Sequence, residues 1–407
     1  MTKKHSTTSI PQSLALGAVC LCALALAVAS APAKDSKHSH GKKHKHQIFY
    51  QQTNLVADTN GVALLTDTNL VNAWGISFGP TSPFWVSDNG TGLATLYSVT
   101  NDASGYQVSK LGLQVAIPGE GNPTGQTFNN TTAFNGDLFI FASEDGTVSG
   151  WRGALGTNAE VLAMNTNAVY KGITLSSNAS GPVLLAANFR QATIDVYSSV
   201  GSNAVLMTQY SDPNTPAGYA PFNVMSLGGI VFVSFAKQDA AKHDDESGPG
   251  HGFIDTFDPQ KGKFRRFATG SDAGSNLTDI NSPWGMAIAP GSFGKHGDRL
   301  LVGNFGAGTI MSFEADGDFR GLLEDPTGAT IVIEGLWGLT FGNGSKAGSS
   351  ETLFFSAGPG REQHGLFGAL DAVPQQSGDN DGDHDGDQDG DHQGGDHNGG
   401  NHHGGRD

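Results

Sequence analysis

Cysteine is nearly missing from this chain. The 407 residues contain two, Cys20 and Cys22, and both sit in one apolar run near the N-terminus. Once that run is removed, disulfides, thiol catalysis and thiolate-bound metal are excluded. Positive charge is the second scarcity. Lys and Arg number 23 against 39 Asp and Glu, a formal net charge of −16. Nucleic acid is therefore excluded as a partner, because phosphate binding needs clustered cations. Charge of either sign makes up only 15% of residues, while glycines number 58. A helical protein would carry more Ala, Glu, Lys and Leu; many turns joining short strands give the composition seen here. There is no phosphate-cradling glycine loop and no zinc-protease helix.

The N-terminus has Lys3, Lys4 and His5, an apolar run from Leu14 to Ala29, then small residues with Ala31-Pro32-Ala33. This is the pattern of a secretory signal over residues 1–33, which predicts a secreted protein, extracellular or periplasmic, with no membrane span after cleavage. A retained anchor is the rival reading, since the run is near the lower limit for a spanning helix. Residues 34–47 are a Lys/His-rich leader without a core, expected to be disordered. Residues 374–407 are an Asp/Gly/His-rich tail with the same expectation. Its carboxylates at Asp379, Asp381, Asp383, Asp385, Asp387 and Asp389 alternate with other residues, as in the first half of a calcium loop that lacks its closing Glu. Ca²⁺ or another divalent cation is the cofactor this tail would take; the bland reading is a solubilising acidic run.

Between them, residues 48–373 repeat one unit. Its clearest copy runs Trp74–Phe78, Phe84–Asp88, Leu93–Tyr97 and Tyr106–Ile117. The first strand recurs as Gly-Ile-Thr-Leu from Gly172, Gly-Met-Ala-Ile from Gly285 and Gly-Leu-Thr-Phe from Gly338, with Thr131–Phe134 as its counterpart in the irregular second unit. Six units of four short strands predict an all-β fold, a six-bladed β-propeller. The sixth unit lacks a fourth strand, and Tyr50–Ala57 is spare. Pairing them would close the ring and remove two open sheet edges. A pair of β-sandwiches is the rival, and it leaves the recurring first strand without a reason. Strand alternation puts Trp74, Ile76 and Phe78 on one face, toward the neighbouring blade, and Gly75 and Ser77 on the other, toward the axis.

Ligand sites on such a ring lie where loops entering the inner strands meet loops between the second and third strands. Two sets of residues fall there. One precedes the inner-strand glycine: Trp74, Lys171, Trp284 and Trp337, with Asn223 in unit four. The other ends the second strand: Asp88, Asn89, Glu144, Asn188 and Asn304. Repeated Trp is ordinarily packing, and Asp or Asn before Gly is an ordinary turn. The functional alternative is that Asp88, Asn89, Glu144, Asn188, Asn223 and Asn304 converge on a ligand or, through their oxygens, a divalent cation. His251 and His364, with Arg361 and Glu362, occupy matching loops on that face, but in non-adjacent blades, so they read as solvent-exposed. Lys237–Ser247 reads as a solvated excursion.

The stretch Asn69–Tyr97, with Ser282-Pro-Trp-Gly-Met and Glu334-Gly-Leu-Trp-Gly-Leu, resembles a family of uncharacterised secreted bacterial β-propeller proteins, some of which carry PEP-CTERM sorting tails. This chain lacks a Pro-Glu-Pro segment with an anchor. More distantly it is similar to NHL-repeat and gluconolactonase-like propellers. The latter resemblance implies one divalent cation held in the channel by Glu, Asn and Asp, with Asn223 where such an Asn could lie; the inner-strand starts here are Trp, Lys and Asn, without the Glu. Two functions stay open: a monomeric binding or scaffold protein that recognises a ligand, glycan or protein at the channel mouth, and a cation-dependent, lactonase-like hydrolase or lyase using the same face.

Overall fold

The computed structural model describes residues 48–271 and 279–374. The leader, the signal segment and the six tail aspartates lie outside the described residues. Two strands come first in the chain, β1 (Ile48–Ala57) and the short β2 (Leu65–Thr66), but they belong to the last blade. Blade one is β3 (Ala73–Ser77), β4 (Phe84–Asp88), β5 (Leu93–Asp102) and β6 (Gly105–Ala116). Blade two is β7 (Pro123–Phe128), β8 (Phe139–Ser143), β9 (Thr147–Trp151) and β10 (Glu160–Met164). Blade three is β11 (Tyr170–Asn178), β12 (Gly181–Asn188), β13 (Thr193–Val200) and β14 (Asn203–Tyr210). Blade four is β15 (Tyr219–Leu227), β16 (Ile230–Lys237), β17 (Phe253–Asp258) and β18 (Lys263–Thr269). Blade five is β19 (Pro283–Ile288), β20 (Leu300–Asn304), β21 (Ile310–Phe313) and β22 (Phe319–Leu322). Blade six is β23 (Leu336–Phe341), β24 (Leu353–Ala357) and β25 (Leu366–Pro374), with β1 as its fourth strand.

The chain is therefore a six-bladed β-propeller of antiparallel blades. Its ring is closed by β1, which pairs with β25 from Ile48 opposite Pro374 to Ala57 opposite Leu366. That ladder ties the start of the described chain to its end and covers both edges. Tyr50 adds a lock to blade five, its buried hydroxyl donating to the Phe293 carbonyl at 3.0 Å. Each inner strand packs on the next, β3 on β7, β7 on β11 and so on, until β23 returns to β3. The glycine near the start of the inner strand permits this approach. A Cβ on Gly125 would lie 2.7 Å from the Gly172 Cα, and one on Gly285 would lie 2.3 Å from the Trp337 carbonyl oxygen.

One apolar cluster fills each gap between neighbouring blades. Each large side chain fully buried there contributes about 1.5–3 kcal/mol. A seventh cluster lies on the axis: Trp74, Phe189, Ala220, Phe222, Ala236, Trp284 and Trp337. Trp74 thus points to the axis and not into the blade gap that simple alternation predicts. The second correction concerns blade two. Its inner strand is Pro123–Phe128, whereas Thr131–Phe134 runs into a 3₁₀ turn at Phe134–Gly136. The pattern Thr124-Gly-Gln-Thr-Phe128 matches Trp74-Gly-Ile-Ser-Phe78, but Gln126 hides it by standing where an apolar residue is expected. Gln126 is buried because its amide is used: Nε2 donates to Gly75 O at 2.7 Å and Trp85 O at 3.0 Å, while Oε1 accepts from Ser77 Oγ at 3.0 Å.

Candidate functional site

Every inner strand is irregular at its start. Register shifts bracket Trp74-Gly75, Thr124-Gly125, Lys171, Phe222, Trp284-Gly285 and Trp337-Gly338. A bulge breaks the two-residue alternation and re-aims one side chain. Three of the six re-aimed residues, Trp74, Trp284 and Trp337, meet across the axis. Trp74 stacks on Trp337 at 3.5 Å between ring centroids, and Trp284 meets both edge-on at 5.7–5.8 Å. Blades one and five are not neighbours, so the Trp74–Trp284 contact spans the channel. Phe222 of blade four reaches Trp337 at 5.8 Å, and Phe305 stacks on its ring at 3.9 Å. These rings plug the channel. Each such pair adds about 0.5–1.5 kcal/mol beyond its area. Trp284 Nε1 donates to Lys171 O at 3.0 Å and Trp337 Nε1 to Asn72 Oδ1 at 3.2 Å, fixing both indoles.

Above the plug lies a polar ring centred on Lys171. Its side chain is 1% exposed, and its ammonium is 5.2 Å from the Trp74 ring centroid. It is hydrogen-bonded to Glu144 Oε1 and, at 2.9 Å, to Asp244 Oδ1. Burial pulls the ammonium pKa down, but the two carboxylates more than offset this and leave it raised. Burial would push the Asp244 carboxyl up; the Lys171 charge outweighs that and holds it below its usual range. Glu144 Oε2 accepts from Asn89 Nδ2 at 3.1 Å, and Asn89 Oδ1 accepts from Asn72 Nδ2 at 3.2 Å. Asn72 Nδ2 also donates to Glu362 at 2.7 Å. Burial raises the Glu362 carboxyl, against the lowering effect of this hydrogen bond. Asp245 closes the other side through Ser282 and, at 2.7 Å, Ser247, and burial raises its carboxyl too. Ligand atoms of Glu144, His243 and Asp244 lie within 4.8 Å of one another, a cluster that could hold a metal.

The six candidate residues separate. Asn89 and Glu144 share the hydrogen bond just described. Asp88 faces the interior of blade one near Thr95, Asp67 and Lys110, and burial lifts its carboxyl well above the ordinary range. Asn188 donates to Asp195 at 3.1 Å and Gln191 at 2.7 Å within blade three. Asn223 donates to Trp284 O at 2.8 Å, and its side chain abuts Gly172; in blade four Phe222 holds the position of the tryptophans and Asn223 stands where other blades carry the glycine. Asn304 bonds Thr309 Oγ1 at 3.1 Å and the Asn281 amide at 3.1 Å. Strand alternation explains the scatter. Residues ending the second strand are held by partners in their own blade or in the loop entering it, while Asn89 and Glu144, one position later, rise toward the mouth. His251 and His364 do not pair: Nδ1 of His251 lies 2.7 Å from Glu246 O, and that of His364 lies 2.9 Å from Asp58 Oδ2. Sequence reasoning missed Asp244 and His243, placed in a solvated loop, and Asn72. The signal available was Lys171 itself, a lysine where three other blades carry tryptophan.

Beneath the plug the channel continues as a cavity of about 230 Å³, running past Trp284 to the lower ends of the inner strands. Its wall includes hydroxyl residues from five consecutive blades: Thr340, Ser77, Thr127, Thr174 and Ser226. Exposure rises down the strands, from buried Trp74 and Gly75 to half-buried Ser77 and Phe78, and from buried Phe222 to exposed Ser226.

No family model matches this chain. Among curated proteins, the uncharacterized protein L690 of Acanthamoeba polyphaga mimivirus is 27% identical over 336 residues, covering 78% of this chain and 84% of that protein. The uncharacterized protein R648 of the same virus is 27% identical over 335 residues, covering 78% of each. These relatives are viral and not bacterial, and the likeness to PEP-CTERM proteins finds no support in them. Among solved structures, virginiamycin B lyase from Staphylococcus aureus aligns with a TM-score of 0.46 at 11% identity, covering 80% of this chain and 100% of that one. A Bacteroides thetaiotaomicron protein of unknown function aligns with a TM-score of 0.49 at 9% identity, covering 80% and 77%. Likeness at this level is one of fold alone.

Proposed function

We propose that this chain is a binding or scaffold propeller that recognises a partner at the channel-mouth face. The observation that carries this reading is the place of Lys171. Its ammonium occupies the space between Glu144 and Asp244 and rests on the Trp74 ring. It supplies internally the positive charge that a divalent ion would bring to a hydrolytic propeller. The tryptophan plug leaves a substrate no depth to enter from this side. What remains is a shallow surface rimmed by carboxylates of Glu144, Asp244 and Glu362, with Asp244 64% exposed. Such a rim suits a cationic segment of a protein partner. Export to the cell exterior or periplasm, argued from the apolar N-terminal run, completes the proposal.

A cation-dependent enzyme is the second reading, favoured by the Glu144–His243–Asp244 grouping. Calorimetric titration of Ca²⁺, Mg²⁺, Mn²⁺ and Zn²⁺ into the full chain and into Glu144→Gln separates the two, because the substitution leaves both tails intact. We expect identical isotherms. A one-to-one binding event present in the parent and lost in Glu144→Gln would replace the binding reading with the enzymatic one.

A further inference from the structure

We infer that the lower half of the channel is a second binding site, specific for a small, neutral, hydroxyl-rich molecule of about monosaccharide size. It is independent of the channel-mouth face, from which the tryptophan plug separates it.

Three observations carry this. The first is the absence of charge: among the described residues lining the cavity, none is Asp, Glu, Lys, Arg or His. An ion entering it would lose hydration with no compensating partner, whereas a neutral guest would not meet that cost. The second is the hydroxyl arc. Thr340, Ser77, Thr127 and Thr174 hold the same place in their inner strands, three residues after Trp337, Trp74, Thr124 and Lys171. Two of these hydroxyls have spent only acceptor capacity on the protein. Thr127 Oγ1 accepts from the Leu175 amide at 3.3 Å, and Thr174 Oγ1 accepts from the Ser226 amide at 3.1 Å. A hydroxyl offers one donor and two lone pairs, so each retains a proton to donate. The third is the apolar surface interleaved with these hydroxyls. Phe78, Phe128, Met225 and Trp284 line the same cavity. The wall therefore offers both hydrogen-bonding groups and apolar and aromatic surface, the combination that matches the edge and face of a polyol ring. The volume is below the roughly 300–1,000 Å³ of drug-sized sites, which limits the guest to one ring.

Trp284 makes the site readable. The full chain is titrated with D-glucose, D-galactose and myo-inositol, following tryptophan fluorescence and saturation-transfer NMR, with n-butanol as an apolar probe. At least one polyol is expected to saturate, with Thr127→Val and Thr174→Val each weakening it five-fold or more. Ser226→Trp, at an exposed rim position, is expected to abolish binding while leaving the circular dichroism and melting temperature unchanged. The inference is overturned if none of the three polyols binds, if n-butanol binds in their place, or if binding persists in Ser226→Trp. Because none of these variants touches Glu144, Lys171 or Asp244, failure here leaves the channel-mouth reading untouched, and the reverse also holds.

Discussion

The two ends of the central channel are made by the same six strands, yet they share almost no chemistry. The upper end is closed, aromatic and charged; the lower end is open, hydroxylated and neutral. One backbone device separates them. At the bulge, large side chains turn to the axis and meet there. Past it, alternation resumes and the bore is lined by hydroxyl and amide groups set among apolar side chains, with no charged residue among those described. A repeat can thus carry two different surfaces without any change in topology. The upper end also spends more stability on itself, because a buried ion pair is only as good as its completeness.

That asymmetry predicts where the fold is most fragile. Lys171→Met keeps much of the side-chain volume but strands Glu144, whose side chain is 11% exposed, without its cation. Removing one member of a buried pair costs about 3–5 kcal/mol. Urea denaturation should show a loss of that size, and a Glu144→Gln/Lys171→Met double variant should recover part of it. A loss below about 1 kcal/mol would mean that the upper end is solvated, and the comparison would fail.

A step smaller is the backbone contact that both ends share. Gly285→Ala would place a methyl 2.3 Å from the Trp337 carbonyl oxygen and 2.8 Å from the Leu339 amide nitrogen. The inner ring cannot yield at one blade without moving the next, so the cost should reach about 1–3 kcal/mol. Gly112→Ala, on the outer strand of blade one with nothing within 4 Å, is the control and should be neutral or slightly stabilising. Equal midpoints for the two variants would show that the ring tolerates expansion.

The propeller was legible in the sequence because the inner strand advertises itself. Trp-Gly-Ile-Ser-Phe and its copies combine a glycine forced by the next blade with apolar neighbours forced by the gaps, and the glycine recurs in every blade but the fourth, where Asn223 takes its place. Blade two escaped because Gln126 answers the same demand with hydrogen bonds in place of hydrophobicity. The site was less legible for a different reason. Asp88, Asn188 and Asn304 are local turn residues whose direction depends on strand phase, so adjacency in an aligned repeat did not become adjacency in space. Asn89 and Glu144, one residue past the end of the second strand in their blades, do rise to the mouth. Asp244 and His243 belong to a polar loop without periodicity. The loop is fixed by its own turn bonds to Asp239, by Ser282 on Asp245, and by the buried cation it covers, contributed by a blade neighbouring its own.

The smallest effect tests the charge contrast by pH. Burial raises the Glu362 carboxyl pKa in the folded protein, with the Asn72 hydrogen bond and Lys171 opposing and Glu144 and Asp244 adding to the rise. Ionising such a group costs the folded state more than the unfolded one. Its favourable contribution is therefore complete below the ordinary carboxylate range and is lost as pH rises through the raised folded value. Asp244 works in the opposite sense: its pKa is depressed, so its contribution is present at neutral pH and lost on acidification. Glu362→Gln cannot ionise and still accepts from Asn72. Relative to the parent, it should be more stable at pH 8 than at pH 4. Thr340→Val, which changes the neutral end, should shift stability by the same amount at both values. Denaturation midpoints of the three proteins at the two pH values decide the matter. A pH-independent offset for Glu362→Gln would mean that the upper rim titrates as if in open water, and the division of the channel into a charged end and a neutral end would rest on Lys171 and its two carboxylates alone.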